Sequence, residues 1–85
     1  MATSRAVAVE AARQMLDMSL LDLWLDYVGL GGSLLPGEIH TFLVGGGRIG
    51  DHDHDVLVQA LNEQFLERGD DHPLAYADEL PADDD

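Results

Sequence analysis

Apolar residues recur along this chain at helical spacing. Leu21, Trp24, Leu25 and Val28 stand at i, i+3, i+4 and i+7, with Asp22 and Asp26 together on the opposite side, a pattern that predicts an amphipathic helix over 20–28. Ser19, followed three residues later by Asp22, resembles a capping box, and Gly29 stands where a left-handed residue is expected to end the helix. A weaker pattern predicts a preceding helix over 5–16. Downstream, Leu35, Ile39, Phe42 and Leu43 share one face of a short helix over 36–44, with Ser33 as its expected cap and Pro36 in its first turn, where a missing N–H costs nothing. Leu57, Val58, Leu61 and Phe65 form the apolar stripe of a longer helix over 52–68. Asp51 is its expected N-cap, Asp53 and Asp55 lie in its positive first turn and Arg68 in its negative last turn. Glycines at 29, 31 and 32, at 45–47 and 50, and at 69 separate these patterns. No window sustains strand alternation. The expectation is all-α: a small three- to four-helix bundle over 1–69, with short Gly-rich connectors.

The helix over 20–28 is apolar nearly all round, including Leu20, Leu21, Leu23, Trp24, Leu25, Tyr27 and Val28. A domain of this size buries roughly 60–65% of its unfolded-chain surface, so a small body cannot easily wrap every face of one helix. Two readings stay open. The helix is the central core element, or Leu20, Leu23, Trp24 and Tyr27 form a surface for a partner protein or a second copy. The N-terminal helix and the downstream residues Leu74 and Tyr76 are further candidates to cover it.

Charge changes this picture. The 85 residues carry 17 acids against 4 arginines, with no lysine and no cysteine, for a net charge of −13. Residues 1–69 hold 10 of those acids and all four arginines, a net of −6; residues 70–85 hold seven acids and no base, a net of −7. That second segment, carrying Asp70, Asp71, Asp78, Glu79, Asp83, Asp84 and Asp85 with two prolines, buries too little to offset its ordering entropy and reads as a partly disordered acidic tail. Leu74, Tyr76 and Leu80 are the residues able to pin its first half to the body. Acidity this strong repels phosphate and disfavours direct binding to nucleic acid or to an anionic membrane. Without cysteine there is no disulfide framework, thiolate nucleophile or cysteine-based zinc site. The stretch 1–9 is interrupted by Glu10 and Arg13 before it reaches signal-peptide character, and no apolar run approaches the roughly 20 residues of a membrane helix. A cytoplasmic location is the expectation.

Several motifs are tempting. Gly45-Gly46-Gly47-Arg48-Ile49-Gly50 matches G-x-G-x-x-G, but a dinucleotide unit needs a second parallel strand after the helix. Residues 67–73 read as no strand, and the helix that would receive pyrophosphate opens with three aspartates. Asp51, Asp53 and Asp55 resemble the start of a calcium loop, yet Val56 stands where the sharp turn wants glycine and Asn62 where a bidentate Glu is required. His52 and His54 are two apart and point to different sides of a helix, and the spacing of His40 and His72 does not require them to meet. The aspartates around His52 and His54 are expected to help these solvated histidines hold their protons. Ser4, Ser19 and Ser33 are explained by capping, and no serine–histidine–aspartate or paired-carboxylate arrangement is implied, so no catalytic residue, metal or cofactor is expected. A helix–turn–helix reading fails on its long connector and on a recognition helix that opens with aspartates.

The segments LLDLWLDYVGLGGSLLPGEIHTFLVG (20–45) and DVLVQALNEQFLERGDDHPLAYADE (55–79) resemble a group of short, acidic, all-helical actinobacterial proteins. These share a Leu-rich LWL-Y helix, a Gly-Gly-Ser/Thr turn and an ALNE-F helix followed by Gly-Asp-His-Pro. The resemblance covers about two thirds of the chain, implies an actinobacterial source and brings no catalytic motif. The functional expectation is a non-catalytic regulatory or adaptor protein. It would bind another protein through Leu20, Leu23, Trp24 and Tyr27, with the acidic tail steering it toward a basic partner; a transcription or sigma factor is one such partner. The alternatives are a self-assembling homodimeric structural subunit, or a pH- or metal-responsive sensor using His40, His52, His54 or His72.

Overall fold

Helix ends set the frame of this fold. The computed structural model describes residues 5–70 and residue 74. It contains four helices: α1 (Arg5–Met15), α2 (Leu20–Gly29), α3 (Pro36–Leu43) and α4 (Asp51–Glu67), with no strand among the described residues. Each helix stops in the same way. The residue after the cap turns left-handed, and the next N–H reaches back five residues, as Met18 N to Arg13 O, Gly32 N to Tyr27 O, Gly46 N to Thr41 O and Asp70 N to Phe65 O. These are Schellman terminations. Three of the left-handed residues are Gly31, Gly45 and Gly69, at φ of 103°, 84° and 88°. The fourth is Asp17 at φ 56°, one of the few residue types that tolerates this region without being glycine. Gly29 is therefore not the terminator of α2 as expected; the helix passes through it and turns at Gly31.

The starts differ more from expectation. Ser19 does cap α2, its hydroxyl accepting the Asp22 N–H at 3.0 Å. Ser33 does not cap α3. The N-cap there is Leu35, whose N–H donates to Glu38 Oε1 at 2.8 Å, while the Ser33 N–H goes to Tyr27. Because Leu35 sits in extended conformation outside the helix, its side chain leaves the Ile39–Phe42–Leu43 face and is 64% exposed. Gly50, not Asp51, is the N-cap of α4. Asp51 is instead the first helical residue, and it ion-pairs with Arg5 at 2.7 Å.

Packing follows from these turns. The main interfaces are α1 with α4, α1 with α3, α2 with α4 and α2 with α3, so each helix sits between two others in a closed cycle. α1 contributes the small residues Ala6 and Ala12 on either side of Val9, allowing close approach. α4 is flanked by both α1 and α2, and it buries Val56, Leu57, Val58, Ala60, Leu61 and Phe65, more than one stripe's worth. From α2 the core takes Leu23 and Tyr27, and from α3 Ile39, Phe42 and Leu43. Leu16, Met18, Leu20, Trp24, Leu30, Leu34, Ile49 and Leu74 close its margins. No helix among the described residues is long and apolar enough to cross a membrane.

Candidate functional site

α2 carries the residues expected to meet a partner, and the structure redistributes them. Leu23 and Tyr27 are fully buried, so neither lies on a surface. Leu20 and Trp24 pack against the core margin, and the Trp24 indole N–H donates to the Leu34 carbonyl at 3.0 Å. The physical reason is that α3 and α4 both pack on α2, and together they claim the Leu20–Leu23–Trp24–Tyr27 side. What remains outside is the stripe Leu21, Leu25 and Val28, at 57%, 55% and 41% exposed. These three stand at i, i+4 and i+7 and share one face. The pattern Leu21, Trp24, Leu25, Val28 is thus a real helical stripe whose greater part points away from the core. Asp26, placed by the sequence on the solvent side, accepts a hydrogen bond from Gln64 Nε2 of α4 at 3.1 Å. Asp22 is exposed and lies one position from Leu21 along the rim of the stripe.

Tyr27 is the node that holds α2 to the loop after it and to α4. Its hydroxyl donates to Asp53 Oδ1 at 2.8 Å and accepts the N–H groups of Ser33 at 3.0 Å and Leu34 at 2.9 Å. Burial pushes the phenol above its ordinary value, and the Asp53 carboxylate adds to the shift. Gly32 lies so close to the ring that an added Cβ would collide with Tyr27 Cζ, Cε1 and Cε2. This explains the second glycine of the Gly31-Gly32 pair: the first supplies the left-handed turn, the second clears the ring.

Three of the four arginines, at 5, 13 and 68, are engaged with the protein's own acceptors, and Arg48 is exposed. Arg13 grips both oxygens of Glu10 at 2.8 and 2.6 Å and also donates to the Met18 carbonyl at 2.6 Å. The Arg13 hydrogen bond is the main reason the Glu10 carboxyl lies below its ordinary value, and the same pair raises Arg13. Arg5 lowers Asp51 in the same manner. Arg68 donates to the Met15 carbonyl at 3.2 Å, stands 3.7 Å from Asp70 and lies over the Phe65 ring at 6.0 Å. Asp17, Asp22, Glu38, Glu63 and Glu67 are exposed, so the described surface presents a broad excess of negative charge.

The histidine expectation needs correction. His54 is not solvated but buried, at 2% exposure, with Nδ1 3.2 Å from Asp55 Oδ1. Desolvation lowers its proton affinity, and this outweighs the pull of Asp55 and Asp51. His40 and His52 are exposed. Among the described residues, no group of three or more histidines and carboxylates is placed to hold a metal ion. The Gly-rich segment is likewise no nucleotide loop. Phe42 and Leu43, where a dinucleotide unit would need a strand, are the last turn of α3, and Gly46 and Gly47 lie against Thr41.

Of the acidic tail, Asp70 is exposed on the last described turn. Asp71, Asp78, Glu79, Asp83, Asp84 and Asp85, with His72, Tyr76 and Leu80, lie outside the described residues. Leu74 is described and packs against the core. It is held by Asn62, which the sequence reading weighed only as a calcium-loop position: Asn62 Nδ2 donates to the Leu74 carbonyl at 3.1 Å, and the Leu74 N–H donates to Asn62 Oδ1 at 3.3 Å. The sequence does hold a signal for it, since Asn62 interrupts the apolar face of α4 between Val58 and Phe65. Comparison with protein-family models, curated proteins and solved structures finds no match.

Proposed function

We propose that this protein is a non-catalytic adaptor or regulator that binds a basic region of another protein through the outer face of α2. The observation that carries this reading is the exposed stripe Leu21, Leu25 and Val28 beside Asp22, on a body where three of the four described arginines, at 5, 13 and 68, are engaged internally. Apolar anchors bordered by the exposed Asp22 carboxylate suit a partner that presents aliphatic residues among lysines or arginines. The anchors supply affinity and the charges supply on-rate and selectivity. A transcription or sigma factor with a covered basic face is one partner of this chemistry. The kinship with short actinobacterial proteins belongs to the same proposal and rests on the 20–45 and 55–79 segments.

Affinity capture from a native lysate with the parent chain and with a Leu21→Glu/Leu25→Glu variant tests the reading. Both positions are exposed, so the variant keeps its fold. The expected result is one enriched basic protein that disappears with the variant and weakens as salt rises; capture that ignores the substitution sinks the proposal. The stripe would also serve a homodimer. Two copies each carrying −13 repel, however, and light scattering at micromolar concentration separates the two readings: a monomer favours the adaptor.

A further inference from the structure

Gly29 is a helical residue that the fold itself does not call for. The left-handed turn that ends α2 is made two residues later by Gly31, and Gly29 has no positive φ. A Cβ added at Gly29 would meet nothing within 4 Å among the described residues, so no neighbour in the chain needs the space. Glycine there forgoes helix propensity and leaves room for another backbone to come close. Gly37, the other helical glycine with open space at its Cβ position, has the exposed polar residues His40 and Thr41 at i+3 and i+4. Gly29 instead stands four residues after Leu25 and eight after Leu21, on the edge of the exposed apolar stripe.

The stripe has the spacing of a helix-packing seam. Leu21, Leu25 and Val28 fall at d, a and d of a heptad, the pattern with which one helix receives another. Asp22 and Gly29 are then successive e positions along one edge. Trp24 lines the other edge at g, half-buried and with its indole N–H tied to the Leu34 carbonyl. From Leu21 to Val28 the seam is about 10 Å long. The charges on α2 are Asp22 and Asp26 alone, and no lysine or arginine stands between Arg13 and Arg48. The open edge thus offers a carboxylate and a notch, with no cation on the helix. We infer that the outer face of α2 receives an amphipathic α-helix of a basic partner. Its leucine-like residues interleave with Leu21, Leu25 and Val28, a lysine or arginine meets Asp22, and its backbone passes closest at Gly29. The inference rests on the adaptor reading above, and it fixes the shape of the occupant and adds a contact residue. A side chain at Gly29 would hold the two helices apart, because interaxial distance follows the size of the residues at the contact. A seam this short makes a weak, transient complex.

The test titrates the full ¹⁵N-labelled chain with a three-heptad peptide, held helical by lactam bridges, that carries leucine at a and d and lysine at e and g. The expected result is saturable amide shifts centred on residues 21–29. Affinity falls at least tenfold in Gly29→Gln and in Leu21→Glu/Leu25→Glu, and for peptides with the same residues in scrambled order or with glutamate in place of lysine. Gly29→Gln should melt at or above the parent temperature, so binding falls while the fold gains, which a glycine kept for structure would not show. Four results would overturn the inference: no saturable binding, shifts centred elsewhere, equal binding of the scrambled peptide, or unchanged affinity in Gly29→Gln. A Gly29→Gln chain that melts below the parent would give the glycine a structural reason and also end it. Amides of residues 21–29 that move on dilution of the free chain would make the occupant a second copy, with the same consequence. Lysate capture lost in Leu21→Glu/Leu25→Glu but kept in Gly29→Gln leaves the adaptor reading standing and refutes the close helix alone; capture that ignores both substitutions ends the adaptor reading itself.

Discussion

Tyr27→Phe removes one oxygen from the core and leaves the ring in place, which makes it a sharp probe of how the bundle is held. The lost oxygen accepts two backbone N–H groups and donates to a carboxylate. Neutral hydrogen bonds contribute about 1 kcal/mol each and those to charged groups about 1.5–3 kcal/mol. Ser33 is exposed and Asp53 half-buried, so water replaces part of what is lost, and the expected cost is about 2–3 kcal/mol. Urea is the appropriate denaturant, because guanidinium would screen the charge of an anionic chain. With a slope near 1 kcal/mol per M for a small domain, the midpoint should fall by about 2–3 M at unchanged slope. A Tyr27→Phe/Asp53→Ala double-mutant cycle should return a coupling of about 1–2 kcal/mol. The phenol also leaves a signature in pH. Its pKa is raised in the fold, so the stability it contributes is complete below the ordinary tyrosine value near pH 10 and is lost as pH rises through the folded value. That alkaline limb should shrink in the phenylalanine variant. A midpoint within about 0.5 M of the parent, with no measurable coupling to Asp53, would refute the view that Tyr27 is the node joining α2 to α4.

Gly32→Ala should also be damaging, since the new methyl collides with the Tyr27 ring; overpacking of this kind costs typically about 1–3 kcal/mol, and the thermal melt followed by circular dichroism should drop accordingly. Gly69→Ala should cost about 1–2 kcal/mol in the same assay, because α4 ends on a left-handed residue there. Arg13→Ala should cost about 1–2 kcal/mol by releasing both Glu10 and the Met18 carbonyl; a melt unchanged by the substitution would show that the pair is ornamental. His54 is held neutral by burial, so its contribution is complete above the unfolded value near pH 6.5 and is lost as pH falls through the lowered folded value. A His54→Asn chain should lack that acid-side slope in urea midpoints measured between pH 7 and pH 4.5.

The all-α class and the buried stripe Leu57, Val58, Leu61 and Phe65 were readable because α4 is long, and its apolar period is repeated often enough to fix a face. α2 was harder. At ten residues and apolar nearly all round, it supports two stripes, and only the positions of α3 and α4 decide that Leu23 and Tyr27 go in while Leu21 and Leu25 stay out. Helix starts were misplaced for a related reason. Ser33 and Asp51 are good caps in isolation, but Tyr27 takes the Ser33 N–H and Arg5 takes the Asp51 carboxylate, 46 residues away in sequence. His54 shows the same limit in electrostatics: its neighbours in sequence are acids, but its burial in the fold outweighs them. Asn62 and Leu74 pair across twelve residues, through a turn whose direction no local pattern states.

The four Schellman terminations bear on how so anionic a chain holds together at all. A helix commonly relies on lysine or arginine near its last turn to soothe the carbonyl end. Here the main chain folds back on itself and supplies those N–H donors from its own backbone. Charged side chains are thereby relieved of a duty that elsewhere constrains composition. With every helix end closed by main-chain donors, and only that of α1 also drawing on Arg13 and Arg68, the sequence is free to dispense with lysine and to let acids accumulate on its exterior. The three left-handed glycines and Asp17 are in this sense what makes the composition viable, and substitutions that restore lysine to the surface should be tolerated by the fold while eroding whatever the negative exterior is selected for.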